Sequence, residues 1–191
     1  MAETVGVLLA AGAGSRMGKP KALVEDRRGV PWVVSSSRAL TLGGCSQTVV
    51  VIGAAAGEVR ALLEKQQVTI IEATDWQDGM GSSLRAGLSA LETNDADAAL
   101  LHLVDLPDVG PDVVHRLLAL AATDVLARAT YKGRPGHPVL IGREHWQAIV
   151  DETDGDTGAR AYLDRHTVLA VDCSDLATGL DVDDARSMLG K

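Results

Sequence analysis

Short apolar runs rich in β-branched residues recur along the chain: Val5–Leu9, Thr48–Ile52, Val68–Ile71 and Ala98–Val104, then weaker ones at Asp124–Thr130, Pro138–Ile141 and Val168–Val171. The first, second and fourth are apolar almost throughout. That pattern belongs to strands covered on both faces, as in a parallel sheet. Between the runs lie segments with helical spacing. Trp32, Val33 and Val34 go with Leu40, and Val59 goes with Leu62 and Leu63. Leu84, Leu88 and Leu91 recur at i, i+4 and i+7, and Val113, Val114, Leu117, Leu118 and Leu120 follow Pro111, a residue suited to a first helical position. Strands alternating with helices predict a three-layer α/β/α sandwich around a mostly parallel sheet. Ligands of such sheets sit at the carboxyl ends of the strands. The chain shows no repeat, low-complexity stretch or linker, so residues 1–191 read as one domain, with the polar stretch Asp151–Asp156 as a surface loop.

Charge and composition then narrow the function. The chain carries a formal charge of −8, which makes non-specific binding to nucleic acid or an anionic membrane unfavourable. It contains no Phe, so an aromatic platform for single-stranded nucleic acid is not expected. An anionic small ligand needs a local cluster of cations or a metal. Cys45 and Cys173 form no CxxC pair and read as ordinary small residues without a disulfide. The apolar start Val5–Ala13 has Glu3 before it and Arg16, Lys19 and Lys21 after it, the reverse of a signal peptide. The expectation is a soluble cytoplasmic protein.

The local cluster follows the first apolar run. Ala11-Gly12-Ala13-Gly14-Ser15-Arg16-Met17-Gly18-Lys19-Pro20-Lys21 combines glycines, whose backbone N–H groups can cradle an anion, with three cations. Two common nucleotide loops fail on spacing. The dinucleotide fingerprint GxGxxG would need glycine where Met17 stands, which disfavours a nicotinamide oxidoreductase. A P-loop needs four residues between its glycines, then Lys and Ser or Thr, but three separate Gly14 from Gly18 and Pro20 follows Lys19.

Other candidates stand further along. Asp105 ends the run Ala98–Val104, where a metal–nucleotide site would want a carboxylate. A turn-capping aspartate before Pro107 fits the same residues. Gly79-Met80-Gly81-Ser82-Ser83-Leu84 reads as an anion-binding helix start or as a serine cap. His137, in Gly133-Arg134-Pro135-Gly136-His137-Pro138-Val139, could donate to a phosphate, act as acid or base near neutral pH, or be structural. Leu180-Asp181-Val182-Asp183-Asp184 reads alone as an acidic helix start, and Asp156 as a helix cap.

Leu9-Ala10-Ala11-Gly12-x-Gly14-x-Arg16-Met17-Gly18-x-x-Lys21 resembles the signature of the nucleotidyltransferases of the molybdenum cofactor family, the cytidylyl- and guanylyltransferases. More broadly it is similar to the sugar-phosphate nucleotidyltransferases. The resemblance implies the nucleotidyltransferase (nucleotide-diphospho-sugar transferase-like) fold. It implies that Leu9, Ala10, Ala11, Gly12, Gly14, Ser15, Arg16 and Lys21 hold a triphosphate, with Arg16 and Lys21 on its phosphates; Lys19 sits at a variable position. Asp105-x-Pro107 matches the family's metal-binding Asp-x-Pro motif. Asp181-Val182-Asp183 resembles its Asp-Ile-Asp-Thr-Pro-Glu-Asp motif, which implies Mg²⁺ on Asp105 and Asp183, although Asp184-Ala185 replaces Thr-Pro. Gly79, Ser82 and Ser83 match a segment around the nucleotide and second substrate. Gly133 to Val139, with His137, and the Gly-Asp-x-Gly-Ala-Arg segment ending in Arg160 match acceptor-side motifs.

The resemblance implies transfer of CMP from CTP to the terminal phosphate of molybdopterin, with release of pyrophosphate. Arg16, Lys21 and Asp105 are the expected catalytic residues. The Ala10-Ala11-Gly12 start goes in that family with CTP over GTP. Alternatives within the same resemblance are a guanylyltransferase, another acceptor, or a non-catalytic member that binds the cofactor and a molybdenum hydroxylase apoenzyme during assembly.

Overall fold

The computed structural model describes residues 2–15, 17–153, 155 and 157–182. Its strands are β1 (Thr4–Ala10), β2 (Gln47–Ile52), β3 (Thr69–Glu72), β4 (Ala98–Leu103), β5 (Leu126–Tyr131), β6 (Arg134–Gly142) and β7 (Leu169–Asp172). They form a seven-stranded sheet in the order β3-β2-β1-β4-β6-β5-β7. β6 runs antiparallel to both of its neighbours, and the other pairings are parallel. Every expected apolar run is a strand. β1 is buried along its whole length, which is why its sequence lacks the polar alternation of a one-sided strand.

The helices are α1 (Trp32–Leu42), α2 (Ala56–Leu63), α3 (Met80–Ser89), α4 (Pro111–Leu118), α5 (Trp146–Glu152) and α6 (Arg160–Leu163). The alternation of each strand sends its side chains into two cores. Leu8, Val50, Leu100 and Leu140 pack with Trp32 and Leu40 of α1, Val59 and Leu63 of α2, and Val113 and Leu117 of α4. Val7, Val51, Leu101 and Ile141 pack with Leu84 and Leu88 of α3, Ile149 of α5, and Tyr162 and Leu163 of α6. These are the outer layers of the sandwich. Truncating one such leucine typically costs about 2–5 kcal/mol through lost transfer energy and an unfilled cavity. Pro111 stands in the first turn of α4, where its missing N–H deprives no carbonyl of a bond.

One expectation changes. Asp151 and Glu152 are not loop residues but close α5, and Thr153 beyond them is buried. Asp154 and Asp156 lie outside the described residues. Cys45 and Cys173 are both buried and free; burial pushes the Cys45 thiol up to about 12, so it is unreactive at neutral pH. No helix among the described residues is long and apolar enough to cross a membrane.

His102 stands on β4 inside an apolar strand run. It is fully enclosed, and neither ring nitrogen has a partner among the described residues. Burial, with His137 nearby, pulls its pKa down to about 3. An unfolded histidine binds a proton near pH 6.5, whereas the folded one refuses it until far lower. Below about pH 6.5 the unfolded state therefore takes up more protons, and stability falls as pH falls toward 3, by up to ~1.4 kcal/mol per pH unit. Urea unfolding of the wild type and His102→Leu at pH 4.5 and 7.5 checks this. The expected result is a shallower acid loss in the variant, with stability at pH 7.5 unchanged or raised.

Candidate active site

β1 and β4 lie side by side in parallel, with Leu9 opposite Leu103. The Val104 amide continues the ladder by donating to the Leu9 carbonyl at 3.2 Å. The two strands thus release their chains at one place on the sheet edge. β1 releases the glycine-rich loop, and β4 releases Asp105. Each residue's position follows from strand register, not from a long loop wandering into the site.

The loop is held in a defined shape. The Met17 amide donates to the Gly14 carbonyl at 2.8 Å. Gly14 has φ +62, and a Cβ built there would stand 2.1 Å from the Lys19 carbonyl oxygen. Only glycine combines that left-handed backbone with so close an approach. After Pro20 the chain enters a short 3-10 turn, Lys21–Leu23, and the Lys21 ammonium donates to Asp105 Oδ2 at 2.8 Å. Both side chains are about one-fifth exposed, 18% and 19%, so the pair is less screened than an ordinary surface salt bridge. Asp105 Oδ1 is buried and has no hydrogen-bond partner among the described residues. The Asp105 carbonyl accepts from the Val182 amide at 3.0 Å. That contact fixes the last described residues of the chain against Asp105.

A cavity of about 370 Å³ opens beside this loop. Leu9, Ala11, Gly12, Gly14, Ser15, Lys21, Gly79, Ser83 and Asp105 line it, so most of the expected nucleotide residues come together. Ala10 is instead the buried last residue of β1. Ser82 is buried as well, and its hydroxyl is engaged with the carbonyls of Asp75 and Gly79, both at 2.9 Å. It ties down the start of α3; the cap position itself is Gly79. Arg16 and Asp183 lie outside the described residues. Among the described residues no three His, Cys, Asp or Glu side chains gather as a metal cluster.

A second cavity, about 480 Å³, adjoins the first and shares Leu9, Met80 and Leu103 with it. His137 and Arg160 line it, with Arg128, Thr157 and Asp164. β6 is irregular here: between the pairs Arg128–Val139 and Thr130–Pro135, β5 has only Ala129 while β6 has Gly136, His137 and Pro138. Such a bulge re-aims side chains beside a site. The His137 pKa is depressed to about 4, chiefly by burial; its approach to the Leu101 carbonyl and the charge of Asp105 oppose that, and Arg128 adds to it. At pH 7 the imidazole is therefore neutral. His137 can exchange hydrogen bonds there, but it is not a cation, which narrows the acid–base role open to it on sequence grounds.

Comparison with known proteins agrees with this geometry. Residues 6–170 match the model of the MobA-like NTP transferase domain. The chain belongs to this family. It is 38% identical to nicotine blue oxidoreductase of Paenarthrobacter nicotinovorans, with 96% of this chain and 93% of that one covered. It is 28% identical to molybdenum cofactor cytidylyltransferase of Escherichia coli (strain K12), with 72% and 69% covered. The crystal structure of Rv0371c from Mycobacterium tuberculosis H37Rv superposes with a TM-score of 0.82 at 29% identity, covering 100% of this chain and 98% of that one. The same protein has been solved in complex with manganese, where the TM-score is 0.78 at 26% identity, with 98% of each chain covered.

Some residues of this MobA-like site escaped the motifs. Trp76 and Gln77 line the first cavity from a 3-10 turn (Trp76–Asp78), and Met80 borders both cavities. Met80 lies inside a recognised segment, and its exposure, 44% for a large apolar side chain, marks it only once the structure is known. Arg128 stands alone in its strand, and no motif includes it.

Gly14→Ala tests the loop. The clash and the left-handed backbone together are expected to cost about 1–3 kcal/mol of stability and to weaken nucleoside triphosphate binding at least tenfold. Urea unfolding and triphosphate titration check the two effects, and an unaltered affinity would show that the loop does not hold the phosphates.

Proposed function

We propose that the protein is a Mg²⁺-dependent cytidylyltransferase that transfers CMP from CTP to the terminal phosphate of a molybdopterin-type acceptor. The observation that carries this reading is the pair of cavities meeting at Leu9, Met80 and Leu103, with Asp105 two residues beyond Leu103. One side offers a glycine-rich cradle and a lysine. The other offers an apolar floor with cationic groups. The E. coli relative named as a molybdenum cofactor cytidylyltransferase and the Ala10-Ala11-Gly12 start favour cytosine and this acceptor over guanine. The reading includes a cytoplasmic location, where nucleoside triphosphates are available.

On this reading the loop N–H groups and Lys21, with Arg16, bind the triphosphate and offset its charge. Asp105 Oδ1 is a hard, buried oxygen donor without another partner among the described residues, which suits a magnesium ion shared with phosphate oxygens; Asp183 would be its second carboxylate. When bound, Mg²⁺ supplies charge neutralisation at the reacting phosphates. A neighbouring solved structure is a manganese complex, which supports a divalent ion on this scaffold. The acceptor phosphate is largely dianionic near pH 7 and needs no general base. Its oxygen forms a bond to the α-phosphorus of CTP, the bond from that phosphorus to the bridging oxygen breaks, and pyrophosphate leaves with the electron pair. Neutral His137 is consistent with this, because no proton has to be removed. The chain's contribution is positioning and fixed charge.

Pyrophosphate release with each nucleoside triphosphate, with and without molybdenum cofactor, tests the proposal. CTP with the cofactor is expected to give the fastest release. Asp105→Asn is expected to lower kcat/KM by about 10²–10³, the scale of losing one electrostatic stabiliser, while the fold is retained by circular dichroism. Full turnover in that variant would remove Asp105 from the metal site. A nucleotide-dependent rise in Tm without pyrophosphate release from any triphosphate, whichever acceptor is present, would make the chain a binding member that assists assembly of a molybdenum hydroxylase.

A second reading rests on one observation, the 38% identity to a protein named nicotine blue oxidoreductase. On it, the apolar second cavity takes an aromatic electron acceptor and a nicotinamide dinucleotide supplies the hydride. Met17 in place of the third fingerprint glycine weighs against it. Oxidation of NADH or NADPH with a quinonoid heteroaromatic dye, absent from the Arg128→Gln and Asp105→Asn proteins, would favour it over nucleotidyl transfer.

A further inference from the structure

The turn that carries Asp105 also carries Asp108, and both residues take hold of the same distant segment. After β7 the chain makes one turn, in which the Leu176 and Ala177 amides donate to the Cys173 carbonyl at 3.0 and 3.1 Å. Leu176 and Ala177 pack against the apolar core. Residues 177–182 belong to no helix or strand, so no backbone ladder sets their path, and local contacts set it instead. The Thr178 amide donates to Asp108 Oδ2 at 2.7 Å, and the Thr178 hydroxyl donates to the same oxygen. Gly179 has φ +61 and lies so close to Tyr131 that a Cβ built there would stand 2.1 Å from the ring. The Val182 amide donates to the Asp105 carbonyl at 3.0 Å. The Tyr131 hydroxyl in turn donates to the His137 carbonyl at 2.8 Å. The segment is thus a strap that joins the Asp105 end of the first cavity to the His137 wall of the second.

Charge works against that placement. The strap runs into Asp181, Asp183 and Asp184, and a segment this acidic is repelled by Asp105 and Asp108 unless a cation or hydrogen-bond donors intervene. Without a fastening, ordering the strap and overcoming the repulsion fall on an incoming metal and weaken its binding. Asp108 supplies the fastening. A carboxylate that accepts an N–H and an O–H from one residue makes charge-assisted bonds, stronger than neutral ones. It stands three residues beyond Asp105, in a turn where the Val109 amide donates to the Leu106 carbonyl at 3.1 Å, so the strap is tied twice to one short stretch of backbone. Asp108 and Thr178 are exposed, and neither lines either cavity. Such a contact adds little to overall stability; its consequence lies in where the strap ends.

We infer that Asp108 is a positioning residue for the metal end of the site: by fastening Thr178 it holds the strap against Asp105 and keeps that end ordered. This rests on Asp105 being a metal ligand, as in the proposed function, and adds a residue outside the cavities on which metal affinity depends. Asp183, the second carboxylate of that reading, is the next residue after Val182, so its reach to the ion begins from the point tied to Asp105.

Mn²⁺ is the probe, followed by the EPR signal of the free ion, on the full chain with and without CTP. Asp108→Ala is expected to weaken Mn²⁺ binding about 10–100-fold, the scale of losing a partner that orients metal ligands. CTP binding in EDTA should be unchanged by calorimetry, since the glycine-rich loop and Lys21 are untouched. The Tm should fall by no more than about 2–4 °C, the scale of one exposed contact in a chain of this size. Asp108→Asn keeps an acceptor without the charge and should retain most of the Mn²⁺ affinity. Thr178→Val loses the hydroxyl and keeps the amide, and should lose part of it. Adding Thr178→Val to Asp108→Ala should cause no further loss, because both break one contact. Asp105→Asn is the reference and should lose Mn²⁺ binding. Full Mn²⁺ affinity in Asp108→Ala, with Asp105→Asn impaired, overturns the inference. So does an equal loss in Asp108→Asn, which would assign the effect to charge, or a parallel loss of CTP binding in EDTA, which would make the contact a general support of the fold. If Mn²⁺ binding is indifferent to Asp105, the metal assignment fails and the inference falls with it. Mn²⁺ held through Asp105 and Asp108 by a chain that binds no CTP would instead sink the proposed reaction and leave the inference standing.

Discussion

The parallel pairing of β1 with β4 is the constraint on which the rest depends. β1 is buried along its length and hydrogen-bonded on both edges, to β2 and to β4. It cannot slip by one residue without turning Val5, Val7 and Leu9 from one core into the other. Register thereby sets where Gly12 and Asp105 emerge, and the Lys21–Asp105 contact at 2.8 Å joins two segments that are far apart in sequence but neighbours at the sheet edge. The site's accuracy is inherited from the most rigid part of the molecule, which is what a mechanism built on positioning needs.

Legibility in the sequence follows burial. β1, β2 and β4 were readable almost to the residue because strands covered on both faces are apolar throughout. β7 is mostly exposed, and its run Val168–Val171 was accordingly faint. α5 and α6 are short; a helix of one or two turns shows too few repeats of the 3.6-residue period to be recognised. The reversal of β6 left no local trace, because strand direction is decided by pairing partners. The same reason hid Arg128: in Leu126-Ala127-Arg128-Ala129-Thr130 it looks like the polar position of an ordinary alternating strand, and only the neighbours of β5 and the layer of α5 and α6 reveal that this side faces a covered cavity. The glycine-rich loop, by contrast, was legible since glycines and cations at fixed spacing are themselves the local chemistry. Ser82 shows the limit of motif reading: a hydroxyl beside a site can be wholly engaged in holding the site's walls.

An acidic chain that takes anionic ligands relies on where its cations stand. Lys21 is held by a carboxylate at one cavity, while half-buried Arg128 lines the other with its Nε unmatched among the described residues. The burial that depresses His137 and His102 also lowers the local dielectric, so a few fixed charges act more strongly than the same charges on the surface. Overall charge then governs what is repelled from the surface at large, and the two cavities govern what is admitted.

The single reversed strand has an evolutionary consequence. Because β6 runs against its neighbours, it begins at the edge where β4 and β5 end, after a turn at Lys132 and Gly133, and its Pro135 and His137 line the second cavity. The half of the sheet that carries the glycine-rich loop is built from crossovers through helices, whose lengths are constrained by packing on the core. On the other half, β5 and β6 are joined by the two-residue turn Lys132-Gly133, both residues exposed. Insertions and substitutions at that turn leave the glycine-rich loop and its strand pairing untouched. A scaffold divided in this way lets one half drift to new chemistry while the other stays constant, in keeping with relatives of this chain that carry names as different as a cytidylyltransferase and an oxidoreductase.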